Sequence, residues 1–174
     1  MLKKKIIPVF LASVLVISGT AGFSAGIVSE NVYASEEAHT QRLSDFADLL
    51  DANQEEELET KLNQISEDYD CDIVVDIEES IDGMDPTAYA DDFFDYNDYG
   101  MGNDKSGILF MLTMSERKWA ISTHGEAISI FTDAGQEYIT DNIVSYFSDG
   151  DYYEGYTQFA DLCEKFIVQA QSGE

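Results

Sequence analysis

Basic residues are scarce in this chain: 9 Lys and Arg stand against 35 Asp and Glu, a net charge of −26. A field of that sign repels nucleic acid and anionic membrane surfaces and attracts cations. It also leaves little to hold a phosphate substrate, which needs positive partners or a metal ion in their place. Histidine is limited to His39 and His124, and cysteine to Cys71 and Cys163. Two distant His and two distant Cys offer no zinc spacing. Neither Cys is followed six places later by Arg, since Ile77 and Gln169 stand there, which excludes a cysteine-phosphatase loop. In an exported chain the two Cys allow one disulfide; two small buried hydrophobes is the other reading. No second hydrophobic run of spanning length follows the N-terminal one, and "AQSGE" carries no anchor or sorting signal. No stable membrane anchor is therefore expected after the leader is cut.

The leader itself is legible. "MLKKK" is a basic start, Ile6 to Ile17 an apolar core, and "NVYAS" places Val32 and Ala34 at the small positions of a cleavage site. Residues 1–34 read as a signal peptide, so the protein is expected to be secreted or held in the cell envelope, on the extracytoplasmic side. An uncleaved anchor and a cut after Ala25 are the alternatives. With Lys3, Lys4, Lys5 and Glu30 removed, 6 bases face 34 acids, a net charge of −28. Residues 35–42 read as a flexible lead, 43–170 as one domain and 171–174 as a tail.

Within the domain, "LSDFADLL" is a short extended or turn segment. Asp51 caps a helix over about 52–68, with Gln54 at the capping-box place and Leu58, Leu62, Ile65 and Tyr69 at helical spacing. "CDIVVDIEES" is a β-branched strand. Asp85 and Pro86 open a second helix, which turns Tyr89, Phe93 and Phe94 inward. "GILFMLTM" is nearly continuous apolar and reads as a strand buried on both faces; "KWAIST" returns as its hairpin partner. Thr132 or Asp133 caps a further helix, and the last one carries Tyr156, Phe159, Cys163, Phe166 and Ile167 on one face. The order α-β-α-β-β-α-α predicts a three-layer α/β sandwich, a small mixed sheet with helices on both faces.

Placing the two predicted parallel strands by a right-handed crossover brings acids to opposite ends of the sheet. Call the end where "GILFMLTM" begins the bottom. There the loop "DDFFDYNDYGMGNDKSG" meets the segment after the third strand, with Asp95, Asp98, Asp104, Glu126 and Asp133. The other end gathers Asp45, Asp48, Asp51 and "SDGDYYEG". The loop starts like an EF-hand but has Tyr99 at the fifth place, where an oxygen ligand is wanted, and Ser106 at the twelfth, where a bidentate Glu should close the shell, so an EF-hand is excluded. Crowded carboxylates still raise one another's pKa unless a cation neutralises them. One divalent cation is expected at the bottom edge, Ca²⁺ in preference to Mg²⁺, on Asp104 and Asp133 with help from Asp95, Asp98 or Glu126. As turn and cap residues, Asp104 and Asp133 have a purely structural reading too.

"LSDFADLLDANQEEEL", "GMGNDKSGILFMLTMSERKWAISTHG", "IFTDAGQEYI" and "FSDGDYYEGY", in that order, resemble the TPM domain family, named for thylakoid-lumen, photosystem-repair and receptor-modulating members. The resemblance covers about 43–166. It implies a compact α/β sandwich, export, divalent-cation binding in some members and a phosphatase activity claimed for some plant ones. The family's "D" before "LL" maps to Asp45, its "D-N-G" to Asp104, Ser106 and Gly107, and its "T-D" to Thr132 and Asp133. Ser106 departs from the family's Asn, and the membrane helix of many members is not seen. Two functions follow as expectations. One is a cation-binding accessory or interaction module for an envelope or extracellular protein, with Tyr96, Tyr99, Tyr152 and Tyr153 as candidate contacts. The alternative is a metal-dependent acid phosphatase. "DCDIV" mimics an aspartyl-nucleophile motif but precedes its strand, on the wrong edge for that chemistry.

If the leader is read correctly, intact mass of material recovered from the medium should correspond to a chain beginning at Ser35. A secreted chain beginning at Met1 would contradict it.

Overall fold

The computed structural model describes residues 41–173. The expected signal peptide, His39, most of the expected lead and Glu174 lie outside the described residues. The elements are β1 (Leu43–Asp45), α1 (Ala52–Tyr69), β2 (Asp72–Glu78), α2 (Pro86–Tyr96), β3 (Gly107–Thr113), β4 (Lys118–His124), α3 (Ala127–Ile130), α4 (Asp133–Asp149) and α5 (Tyr152–Ser172). The strands form one sheet in the order β1-β2-β3-β4. β1, β2 and β3 are parallel, and β4 runs antiparallel to β3. The expected mixed α/β sheet with helices on both faces is what the chain forms.

The two central strands are buried along their whole length because both faces are covered. On one face Ile73, Val75 and Ile77 of β2 join Ile108, Phe110 and Leu112 of β3 beneath α1, α4 and α5. On the other, Val74, Leu109 and Met111 meet Ala90 and Phe94 of α2, with Tyr99 and Ala120 beside them. The side-chain period of two along each strand makes both cores from one run of apolar residues. Each large side chain so buried contributes roughly 2–3 kcal/mol. The end of α5 also takes in 171–172, the first residues of the expected tail, with Gly173 as its cap.

Carboxylates set where the helices start. Asp51 accepts from the N–H groups of Asn53 and Gln54, while the Gln54 side chain accepts from the Asp51 N–H, a complete capping box. Asp85 accepts from Thr87 and Ala88 ahead of Pro86. Thr132, not Asp133, caps α4, through Oγ1 and the Gly135 N–H at 3.4 Å. β1 is a true strand where only an extended or turn segment was predicted: Arg42 O takes the Val75 N–H and Ile77 O takes the Phe46 N–H, both at 2.8 Å. Asp45 then turns the chain into α1 by accepting from Ala47, Leu49 and Leu50.

At the top of the sheet the hairpin between β3 and β4 is tied to the loop after β2 by Glu116. Its carboxylate accepts from Ser80 Oγ at 2.8 Å, from the Gly83 and Ile81 N–H groups at 3.3 and 3.4 Å, and from Thr113 Oγ1. The hydroxyls of Thr113 and Ser80 lead in lowering the Glu116 pKa from 4.5 to about 2. A depressed carboxylate pKa stabilises the fold above the unfolded value, and that contribution disappears as pH falls through the folded one. Glu116→Gln should therefore melt lower than wild type at neutral pH. The gap should close as pH falls from about 4.5 toward about 2, read by thermal unfolding across that range.

Candidate functional site

The bottom edge is made by the starts of β1, β2 and β3, the end of β4 and the loop 97–106. The loop is tightly folded. Met101 and Ser106 exchange both backbone hydrogen bonds, at 2.9 and 2.8 Å, and Ser106 O also takes the Asp72 N–H. Asp98, Gly100, Gly102 and Lys105 all take positive φ. At Gly100 no side chain fits: a Cβ would stand 2.5 Å from Lys105 O, at a φ of +100°.

Two buried charges hold this loop. Arg42, the last residue of the expected lead, is 4% exposed and Asp72 3%. Arg42 Nε donates to Asp72 Oδ1 at 2.8 Å, and Nη1 to Asn63 Oδ1 at 2.6 Å. Asp72 Oδ2 accepts from the Gly100 N–H at 2.6 Å, which joins the loop to the ion pair. Glu59 of α1 accepts from the backbone N–H groups of Arg42 and Leu43.

The predicted ligands take separate roles on this edge. Asp98 pairs with Lys105 at 2.9 Å. Asp95 Oδ1 lies 3.9 Å from His124 Nδ1. Asp104 Oδ2 accepts from the Glu126 N–H at 2.8 Å, and Ser106 Oγ from the Ala127 N–H at 3.1 Å. Asp133 occupies the first turn of α4. Among the described residues no three His, Cys, Asp or Glu side chains gather as a ready metal cage. One carboxylate that the candidate set omits borders Gly102 along with Asp104: a Cβ on Gly102 would stand 3.4 Å from Asp104 Oδ1 and 3.5 Å from Asp70 Oδ2. Asp70 reaches this point because it closes α1 in the left-handed conformation, at φ 53°. Hard oxygens facing one small space suit Ca²⁺ better than a softer metal. The signal for Asp70 and Asp72 was the strand order itself, since "DCDIV" begins a parallel strand and so begins at the bottom.

Among the described residues no activated nucleophile stands on this edge. Burial pushes the Cys71 thiol up to about 11, and burial likewise raises that of Cys163. Both are free thiols inside the core. Ser122 Oγ lies 2.7 Å from His124 Nε2, a nucleophile-and-base spacing, but it donates to Asp91 Oδ1 at 2.6 Å and is 3% exposed. A hydroxyl has one proton; given to Asp91, it leaves Nε2 as donor and His124 unable to act as base toward Ser122. Of the aromatics proposed as contacts, Tyr99 is buried, with its hydroxyl on Gln41 O, because it packs between Phe93 and Phe94. Tyr96 is 80% exposed, while Tyr152 and Tyr153 pack against the larger core.

The TPM domain model matches residues 43–166. The chain belongs to the TPM domain family. Three NMR structures share the fold of this TPM domain. The N-terminal domain of a protein from P. gingivalis is 20% identical, covering 76% of this chain and 84% of its own, with a TM-score of 0.66. The N-terminal domain of the cg2496 protein from Corynebacterium glutamicum is 17% identical, covering 81% and 86%, with a TM-score of 0.60. The BA42 protein of the psychrophilic bacterium Bizionia argentinensis is 15% identical, covering 72% and 86%, with a TM-score of 0.62. No curated protein matches the chain.

Removing one partner of a buried ion pair strands the other. Arg42→Ala should destabilise the TPM domain by about 3–5 kcal/mol, measured by urea unfolding. A loss below about 1 kcal/mol, as for an exposed pair, would show that the pair does not organise this edge.

Proposed function

We propose that this chain is an exported, acidic TPM-domain module that binds one divalent cation at the bottom edge of its sheet, calcium in preference to magnesium, and acts as an accessory or interaction unit for an envelope or extracellular protein. The observation that carries the reading is that the Asp70 and Asp104 carboxylates both border Gly102. The loop that carries Asp104 is braced from inside by the Arg42–Asp72 pair, and Asp104 Oδ2 accepts from the Glu126 N–H, so that carboxylate is set before a cation arrives. Asp95, Asp98, Glu126 and Asp133 surround them on the same edge and add to the negative field that draws a cation in. Backbone carbonyls of the loop and water complete the shell. With two carboxylates the affinity is modest, about 10⁻⁴–10⁻³ M, in the range of extracellular calcium modules.

A phosphatase is the weaker reading. It needs a nucleophile and positive partners for the phosphoryl group. On this edge Arg42 is buried in its ion pair and Lys105 is paired with Asp98.

Calcium should raise the melting temperature of the mature protein, following RT ln(1 + [L]/Kd), and should give a saturable calorimetric titration. Asp104→Asn and Asp70→Asn should each remove most of the shift. Asp133→Asn should reduce it less, and Asp149→Asn, on the opposite rim, should leave it unchanged. A shift no larger than that from sodium at equal ionic strength would leave general screening as the whole effect. Turnover of a phosphomonoester should be absent or very slow; metal-dependent turnover lost in Asp104→Asn would favour the phosphatase.

A further inference from the structure

We propose that β4 is where a second copy of this chain docks: two β4 strands pair antiparallel about a two-fold axis and join the two sheets into one. β4 is an edge strand, since it pairs only with β3 among the described residues. The backbone bonds say which of its groups are turned outward. Ser106 O takes the Asp72 N–H and the Met114 N–H reaches Glu78 O, so the even-numbered positions of β3 serve β2 and the odd-numbered ones serve β4. Opposite Gly107, Leu109, Met111 and Thr113 stand His124, Ser122, Ala120 and Lys118, which therefore direct their N–H and C=O groups to β3. Trp119, Ile121 and Thr123 turn theirs outward. β4 has seven residues, contains no proline and pairs with β3 position for position, so it lacks the bulge or proline that commonly blocks an edge. The other edge, β1, has only three residues, and Asp45 bends the chain away directly after it.

The edge is complementary to itself. An axis through Ile121 places Ile121 opposite its own copy, Trp119 opposite Thr123 and Lys118 opposite His124, and every outward N–H and C=O of the strand then has a partner. Trp119 is 43% exposed, with its ring stacked 6.3 Å from that of Phe110, and the second strand covers it. Charge favours this direction. Arg117 and Lys118 are exposed at the hairpin end of β4, and neither makes an ion pair among the described residues. At the other end stand two exposed acids of α2: Asp91, which accepts from the Ser122 hydroxyl, and Asp95, 3.9 Å from His124. Antiparallel copies bring the bases of each to the acids of the other, at both ends of the pair. Parallel copies would set base against base and acid against acid. Such an interface is isologous, the form most dimers take. Glu116 keeps its charge beside Arg117 and offsets part of the basic field, and each copy has a net charge of −26. The ion pairs therefore set the direction, while the ladder and the cover over Trp119 hold the copies together. The overall repulsion is screened beyond about 10 Å at ordinary ionic strength, so association should tighten as salt rises from millimolar levels. This pairing goes beyond the cation-binding reading and does not depend on it.

The test is sedimentation of the mature protein over a concentration series in EDTA, which keeps divalent cations out of the experiment. A seven-residue edge is a small interface, so the expected result at ordinary ionic strength is a weak monomer–dimer equilibrium with a Kd of about 10⁻⁴ M. Trp119 is the single tryptophan, and its emission should move to shorter wavelength as the dimer forms. Thr123→Pro removes an outward N–H and leaves the bonds to β3 intact, so this variant should fold and stay monomeric. Lys118→Glu should weaken the dimer by about tenfold or more. Adding Asp95→Lys to that variant should restore it, because these two side chains stand at opposite ends of β4 and meet only between copies. A monomer at every concentration up to about 1 mM, a dimer that folded Thr123→Pro still forms, or one indifferent to Lys118→Glu would overturn the proposal. If Thr123→Pro melts below the wild-type monomer, the charge exchange decides alone, since Lys118 and Asp95 are both exposed.

Discussion

The Arg42–Asp72 pair is the constraint on which the bottom of the molecule depends. Its two charges sit almost out of water, where an ion pair is maintained only if the remaining donors and acceptors are also satisfied. They are: Asp72 gives one oxygen to Arg42 and the other to the Gly100 N–H, and Arg42 gives further protons to Asn63 and toward the Met101 sulfur. One interaction therefore fixes the entry to β1, a position on α1, the start of β2 and the loop before β3. A hydrophobic substitute could fill the same volume, but it could not hold four chain segments in one register. Directional bonds to charged groups do that.

In the proposed reading the acids of this chain perform two kinds of work, and only one concerns a ligand. Asp45, Asp51, Asp85 and Asp104 each accept backbone N–H groups at a turn or helix start. Such a carboxylate satisfies donors that no helix or strand can use. An acid count therefore overstates the number of possible ligands. In the proposed site Asp104 would join the two roles: Oδ2 is held by the Glu126 N–H, while Oδ1 borders Gly102, as Asp70 Oδ2 does. A carboxylate anchored through one oxygen keeps the other in place, which lowers the ordering cost of any cation that binds there.

Much of the fold was legible because apolar spacing carries it. The buried run Gly107–Thr113 and the helical spacing of Leu58, Leu62 and Ile65 could form little else. β1 escaped because three residues are too short to show a period, and its strand character comes from Arg42 and Phe46 bonding to β2. Arg42 looked like a lead residue because nothing local marks a buried Arg; its partner is 30 positions away. Tyr99 looked like an exposed contact from its acidic neighbours. Its loop turns at Asp98 and Gly100 and drives the ring between Phe93 and Phe94. Asp70 was missed for a similar reason: its left-handed turn at the end of α1 aims it at Gly102, and sequence spacing does not display a turn's direction.

Rigidity at the bottom edge also bears on what kind of protein this is. A catalytic loop commonly closes over its substrate and shuts out water. The loop 97–106 has little freedom for that, being bonded to itself through Met101 and Ser106, to β2 through Asp72 and to the segment before α3 through Asp104 and Ser106. Of the described residues, Cys71, Cys163 and Ser122 are all buried. What remains outside among the described residues is charge: carboxylates at both ends of the sheet, with Arg117 and Lys118 exposed at the hairpin end. Fixed charge on a stiff frame suits recognition by complementarity without a change of shape, which is the property the proposed binding module would use.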